Sequence, residues 1–414
     1  MIRSLALLTL VVVALLPLCT GCEDDKDAYM PPNALPAITP QPAVAASNTF
    51  GFSLFHKLTT DKPQNVFISP TSLMLALAMT YNGAGGQTKI EMAKALQISG
   101  IPVDDLNRQL SELQKDLQDA DRDVQVQIAN SIWASRNYRL KTPFADLCRQ
   151  SYGATLDTLD FGSPFAAIAI NRWANRKTHG AIRTIVRANE LPQTALLLLD
   201  AVYFKGKWSN PFKVKSTRPA EFTLLGGQRK TVQMMARYGS YIYAEDGGLQ
   251  AVALPYGTGR MNMIVLLPRD KQGLPALLKA MDDTAWRSLS RRMGRLEGMV
   301  KLPRFQIAHE AQLDEALKTL GMATALDHGD FSGIADNLPG LSRVKQKTYL
   351  RVTEKKTEAA AISLFEMKSA ESIAPQPFQM IVDHPFLLGI VDTKTGATLF
   401  LGAIVDPQET RAGE

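Results

Sequence analysis

The chain has 414 residues, 45% of them apolar and 21% charged, which excludes a wholly disordered protein. Its formal charge of +6 is the small difference between 46 basic and 40 acidic side chains, so bulk charge singles out no polyanionic partner. By length alone the chain holds either one large α+β domain or several smaller ones.

The N-terminus reads "MIRSLALLTLVVVALLPLCTGC": one arginine, an apolar run short for a membrane span, then small residues. That is the layout of a secretory signal over residues 1–22. It also resembles a bacterial lipoprotein signal ending at a lipidated Cys22, with Thr20 and Gly21 as the small residues before it and Cys19 where Leu is usual. The expected location is then beyond the inner membrane, lipid-anchored in the cell envelope, outer membrane or cell surface. The alternative is a plain secretory signal cleaved nearby. Once Cys19 is removed and Cys22 acylated, only Cys148 remains, so no intrachain disulfide forms and stability comes from a large core. Residues 23–48 carry five prolines and few large apolar residues, and read as an extended, solvated tether.

From about Thr49 the pattern is that of a folded domain. "SPTSLMLALAMTYNGAG", 69–85, has start signals, an apolar body and a glycine-rich end, and predicts a buried helix. "DVQVQIANSIWAS" alternates through Val124, Val126 and Ile128 and predicts a strand. "FAAIAINRWANRKTHG" is an amphipathic helix closed by Gly180. "TALLLLDAVYF" and "MNMIVLLP" suit strands buried on both faces, "WRSLSRRMGRLEGMVKLPR" a solvated helix face followed by a strand, and "HPFLLGIVDTKTGATLFLGAIVDP" a hairpin. Helices early and strands late imply an α+β fold with mainly antiparallel sheets. Asp200 interrupts an apolar strand; it is either a catalytic acid or a structural polar lock with a hydrogen-bonding partner.

No enzyme motif emerges. The histidines at 56, 179, 309, 328 and 384 have no catalytic spacing, and "HEAQL" places Leu313 where a zinc-protease helix needs its second His, so no metal is expected. "GAGGQTK" lacks the ending of a P-loop, "YGTGR" lacks the third glycine of a dinucleotide site, and no Gly-x-Ser-x-Gly elbow occurs. An enzyme remains possible only through a site not visible as a motif, and neither a cofactor nor a nucleic-acid partner is expected.

Seven stretches, in order, resemble the serpin family: "NVFISPTSLMLALAMTYNGAGGQTKIEM", "INRWANRKTHGAI", "DAVYFKGKWSNPF", "QAVALPYGTGRMNMIVLLP", "VKLPRFQIAHEAQLDEALKTLGM", "VTEKKTEAAA" and "DHPFLLGIVDTKTGATLFLGAIVDP". The resemblance implies a serpin domain over 49–408, followed by a tail at 409–414. It would contain three mainly antiparallel β-sheets, about eight or nine helices and an exposed reactive-centre loop over about 354–377. It implies a monomeric suicide inhibitor of serine, and in some members cysteine, proteases. The protease is acylated by the loop it cuts, and the freed segment inserts as a strand into the central sheet. The alternative within the family is a non-inhibitory member acting as a surface binding protein.

The resemblance assigns the hinge to Glu354, Lys356, Thr357, Glu358, Ala359, Ala360 and Ala361, with Lys356 where the family commonly has Gly. An inserted strand alternates faces. From Thr357 the odd positions (Thr357, Ala359, Ala361, Ser363, Phe365, Met367, Ser369) are uncharged, whereas Glu358, Glu366 and Lys368 are even. Counting from Glu354 puts the scissile bond at Ala370-Glu371, suited to elastase-like proteases; Lys368-Ser369, suited to trypsin-like ones, is the second candidate. By alignment Arg304 pairs with Glu354, Asp200 with Gln346, and Trp208 belongs to the same structural set.

Overall fold

The computed structural model describes residues 29–60, 64–354 and 376–409. Its longer helices are α1 (Pro42–Thr59), α2 (Pro70–Asn82), α3 (Gly86–Ala95), α4 (Val103–Gln118), α5 (Thr142–Tyr152), α6 (Pro164–Lys177), α7 (Leu274–Ala280) and α8 (Asp283–Arg292). The strands are β1 (Val66–Ile68), β2 (Val124–Ser135), β3 (Thr155–Leu159), β4 (Leu196–Gly206), β5 (Arg218–Thr223), β6 (Arg229–Asp246) and β7 (Leu249–Tyr256). They continue with β8 (Met261–Pro268), β9 (Gly294–Pro303), β10 (Phe305–Gln312), β11 (Arg343–Val352), β12 (Phe378–Ile381), β13 (Phe386–Asp392) and β14 (Thr398–Ile404).

The local signals act where they stand. Ser69 caps α2 by accepting from Ser72 N, Pro70 occupies its first turn, Gly83 closes it, and every residue of the helix except Asn82 is buried. After α6, Gly180 adopts φ +87° and donates its N–H to Asn175 O, the left-handed closure that glycine permits. The basic stretch 286–304 covers the last turns of α8, with Arg291 and Arg292 exposed and Trp286 and Leu289 buried, followed by β9, and β13 and β14 pair antiparallel as the expected hairpin.

Backbone pairing among the described residues gives two sheets, of nine and five strands, where three were expected. The nine-stranded sheet runs β1-β14-β13-β8-β7-β6-β9-β12, with β5 also on β6. Its two halves meet only where the tips of β6 and β7 pair, Ile242–Asp246 against Leu249–Ala253, and this short hairpin fuses what would otherwise count as separate sheets. The five-stranded sheet, β10-β11-β4-β2-β3, rests on α2.

The tether is a correction. The helix α1 begins at Pro42, and Ala43, Val44, Ala46, Ser47 and Asn48 are buried, so the folded domain starts before Thr49. Pro is favoured at a helix N-terminus, and the small side chains of "AVAAS" let the helix pack close to its neighbours; few large apolar residues did not mean solvation. Residues 29–41 also lie on the body. Asn210 Nδ2 donates to Tyr29 O at 2.8 Å, Arg295 N donates to Asn33 O at 2.9 Å, and Ala34 bridges Gly294.

Candidate reactive-loop seam and gate

The five-stranded sheet has an unusual boundary. The strand β4 runs antiparallel to β2 over Val124↔Gly206 to Ala134↔Leu196, but its other neighbour, β11, is parallel to it. The parallel ladder runs from Arg343↔Leu197 to Tyr349↔Tyr203 and stops there, although β11 continues to Val352 and β4 to Gly206. Tyr203 and Tyr349 stack across the last pair with ring centroids 6.2 Å apart. A chain that turned back after β11 and entered this boundary would be antiparallel to both neighbours, the better-aligned hydrogen-bonding arrangement.

The boundary is held at mid-length by side chains. Gln346 stands opposite Asp200 in the register, and its Nε2 donates to Asp200 Oδ2 at 2.6 Å. Gln346 is also anchored to the N-terminus of α2: Oε1 accepts from Ser69 N at 2.9 Å and Nε2 lies 3.1 Å from Ser69 O. The second oxygen of Asp200 accepts from the Ser72 hydroxyl. Both seam residues are essentially inaccessible. Burial raises the Asp200 carboxyl to about 7, and the bonds from Ser72 and Gln346 pull against that rise.

On the other flank of β4, Asn130 of β2 pairs with Asp200 in the antiparallel register and is buried, yet neither polar atom of its amide finds a partner among the described residues. Sequence reasoning missed this residue. The signal was available, since Asn130 continues the inward parity of Val124, Val126 and Ile128.

At the open end stands a gate. Trp208 donates its indole N–H to Thr353 O at 2.8 Å and stacks on Tyr256 with centroids 4.3 Å apart. Glu354 is buried; its Oε1 accepts from the Thr217 hydroxyl at 2.8 Å and lies 3.6 Å from Arg304 Nη1. Arg304 and Glu354 are thus brought together as expected by alignment, with Thr217 as a third member that the motifs did not suggest. The remaining hinge residues Lys356, Thr357, Glu358, Ala359, Ala360 and Ala361 lie outside the described residues, as do Lys368, Ser369, Ala370, Glu371 and Cys22. The chain is described again from Gln376 and enters β12, which pairs parallel with β9.

The other candidates take structural places. His309 sits on β10 with Nδ1 3.0 Å from Phe67 O, and burial lowers its pKa. Cys148 is a free, buried thiol on α5, pushed up to about 12 by desolvation.

The family model described as Serpin (serine protease inhibitor) matches residues 45–407. Serpin B8 of Homo sapiens is 34% identical over 87% of this chain and 98% of its own length, and a serpin-like protein of Thermococcus kodakarensis is 33% identical over 89% and 87%. Among solved structures, native tengpin, a thermophilic serpin, is similar with TM-score 0.79 and 27% identity, covering 91% of this chain and 97% of that one. Uncleaved ovalbumin shares the fold with TM-score 0.80 at 24% identity, covering 89% and 100%. The chain belongs to the serpin family, whose members are generally protease inhibitors rather than enzymes.

Proposed function

We propose that this serpin is a suicide inhibitor of serine proteases, with the β4–β11 boundary as the slot that receives its loop. The carrying observation is that parallel pair, cross-linked by Gln346 and Asp200, whose ladder among the described residues ends at Tyr349. The protease serine attacks the carbonyl carbon of Ala370, or of Lys368 in the second register, releasing the amine of Glu371 or Ser369 and leaving an ester. The freed strand then enters between β4 and β11, moving them apart by about one strand spacing, ~4.8 Å, and carrying the acylated protease along the sheet. The bond between Gln346 and Asp200 spans direct neighbours, so entry breaks it. The Trp208, Thr217 and Arg304 contacts hold the loop base until then. The chain needs no catalytic group of its own.

Incubation with elastase-like and trypsin-like proteases tests this. A complex that survives denaturing electrophoresis, with its cut mapped to Ala370-Glu371 or Lys368-Ser369, supports inhibition. Complete cleavage without complex favours the binding-protein reading, for which the specific observation is Lys356 in place of the family's Gly. Such a side chain restricts the backbone where the hinge must pivot.

We also propose that Cys22 is acylated and that the protein acts as a monomer tethered to a membrane. Fatty-acid labelling that disappears in Cys22→Ala supports the anchor, and labelling that persists refutes it.

A further inference from the structure

The proposed tether is much shorter than its sequence suggests, because the chain is already docked at Tyr29. Only six residues, 23–28, separate Cys22 from it. Seven Cα steps span at most about 25 Å, so the docking point of Tyr29 stays close to any lipid headgroup layer. Tyr29 is bonded to Asn210, and Asn210 lies two residues beyond Trp208, which holds the base of the loop at Thr353. Tyr29, where the described chain begins, therefore sits at the same pole as Thr353 at the base of the loop.

That pole has a specific surface chemistry. Between Phe204 and Ala220 the sequence carries Lys205, Lys207, Lys213, Lys215 and Arg218 and no acidic residue, and of these Lys207 is paired with Asp123 from outside the run. Lys205, Lys213, Lys215 and Arg218 are exposed. At the centre of the run, in a single turn, Val214 is 68% exposed between two lysines, and Met30, next to Tyr29, is also 68% exposed. Val214 is four residues from Asn210, within about 14 Å by chain reach. An apolar tip flanked by lysines, with a second exposed apolar side chain at the same pole, matches a bilayer interface, where apolar side chains enter the headgroup region and ammonium groups meet phosphates. A polyanion such as nucleic acid would satisfy the lysines and leave Val214 and Met30 in water.

We propose that the Met30 and Val214 pole is a docking surface for anionic lipid, so that the reactive loop emerges beside the bilayer and meets proteases working there. The orientation rests on the anchor proposed above; the affinity of the surface for lipid does not. The test uses a chain beginning at Glu23, which keeps every described residue and carries no acyl group. It is sedimented with vesicles of phosphatidylcholine alone or with added phosphatidylglycerol. Binding is expected only with the anionic vesicles, weakening with salt, and falling at least about tenfold in Val214→Asp and in Lys215→Glu. Phe165→Asp, which removes a similarly exposed apolar side chain from α6, is expected to bind as the parent does. Thermal melts that match the parent's separate lost affinity from lost fold. Absence of binding, equal binding to neutral vesicles, or unchanged binding by both surface variants overturns the proposal. So does binding to a short oligonucleotide that depends on Lys215 but not on Val214, which would mark a polyanion site. Failure here leaves the Cys22 anchor standing, and loss of the anchor by fatty-acid labelling leaves this surface standing.

Discussion

Gln346 Nε2 donates to Asp200 Oδ2 at 2.6 Å across a parallel pair of strands, and both groups are tied to the first turn of α2 through Ser69 and Ser72. A neutral amide thus cross-links β11 to a carboxyl on β4, in a site that excludes water. Gln346→Leu removes the donor to Asp200 and leaves Ser69 N without its side-chain acceptor. The expected cost to the intact form is about 1–3 kcal/mol, read by denaturant unfolding, together with faster spontaneous conversion to an inactive, inserted form on warming.

The same carboxyl gives the intact protein a pH signature. Asp200 is raised to about 7 in the fold against an ordinary value of 3.8, so the folded state holds its proton where the unfolded chain has released it. The stability this contributes is fully present below about pH 4 and is lost as pH rises through about 7. The difference in unfolding free energy between the parent and Asp200→Asn is expected to change across pH 4 to 8 in that direction. A flat difference removes the raised carboxyl from the account.

At the gate, Arg304 is about one-third exposed and 3.6 Å from Glu354, so the ion pair itself is worth little, about 1 kcal/mol or less. Its loss still strips a charged partner from a buried carboxylate. Arg304→Ala is therefore expected to lower the stability of the intact form by about 1 kcal/mol. It is also expected to shift the ratio of stable complex to cleaved product, measured by gel densitometry. Thr217→Val, which deletes the 2.8 Å hydroxyl donor to the same oxygen, is expected to act in the same direction.

Trp208 supplies an optical report. It is one of four tryptophans, and the others, Trp133, Trp173 and Trp286, belong to β2, α6 and α8. In the proposed insertion, a strand entering at the top of the boundary would displace Thr353 and so change the indole hydrogen bond. A shift in tryptophan emission on loop cleavage is expected in the parent and absent in Trp208→Phe.

Side-chain parity makes a sharper distinction within the loop. In the proposed inserted strand, odd parity would turn Ala361 toward the core and even parity would turn Ile362 away. Ala361→Asp is expected to convert inhibition into plain substrate cleavage, with the same cut and no stable complex. Ile362→Asp is expected to keep complex formation. The reverse pattern would shift the inserted register by one residue.

Much of this arrangement is legible in the sequence because apolar periodicity is local. The buried body of α2, the alternation at the start of β2 and the apolar run of β4 each fit in a dozen residues, and Asp200 stands out because its neighbours are apolar. What is not legible depends on partners far along the chain. Whether the sheets count as two or three turns on the few pairs between β6 and β7. The start of α1 was hidden by small residues whose burial is decided by the helices they meet. Thr217 joins Glu354 only after the chain has folded across 137 positions, and no local pattern marks it. Val214 looks like an ordinary apolar residue until the structure leaves it exposed between Lys213 and Lys215.

The central claim is that the cut loop becomes a strand between β4 and β11. The most direct measurement is the thermal unfolding of the intact chain beside the same chain nicked within residues 354–377. An added strand bonded to both neighbours predicts that the nicked form melts higher by more than about 10 °C. A nicked form that melts at or below the intact temperature contradicts insertion and leaves the protein a serpin that is cut without trapping its protease.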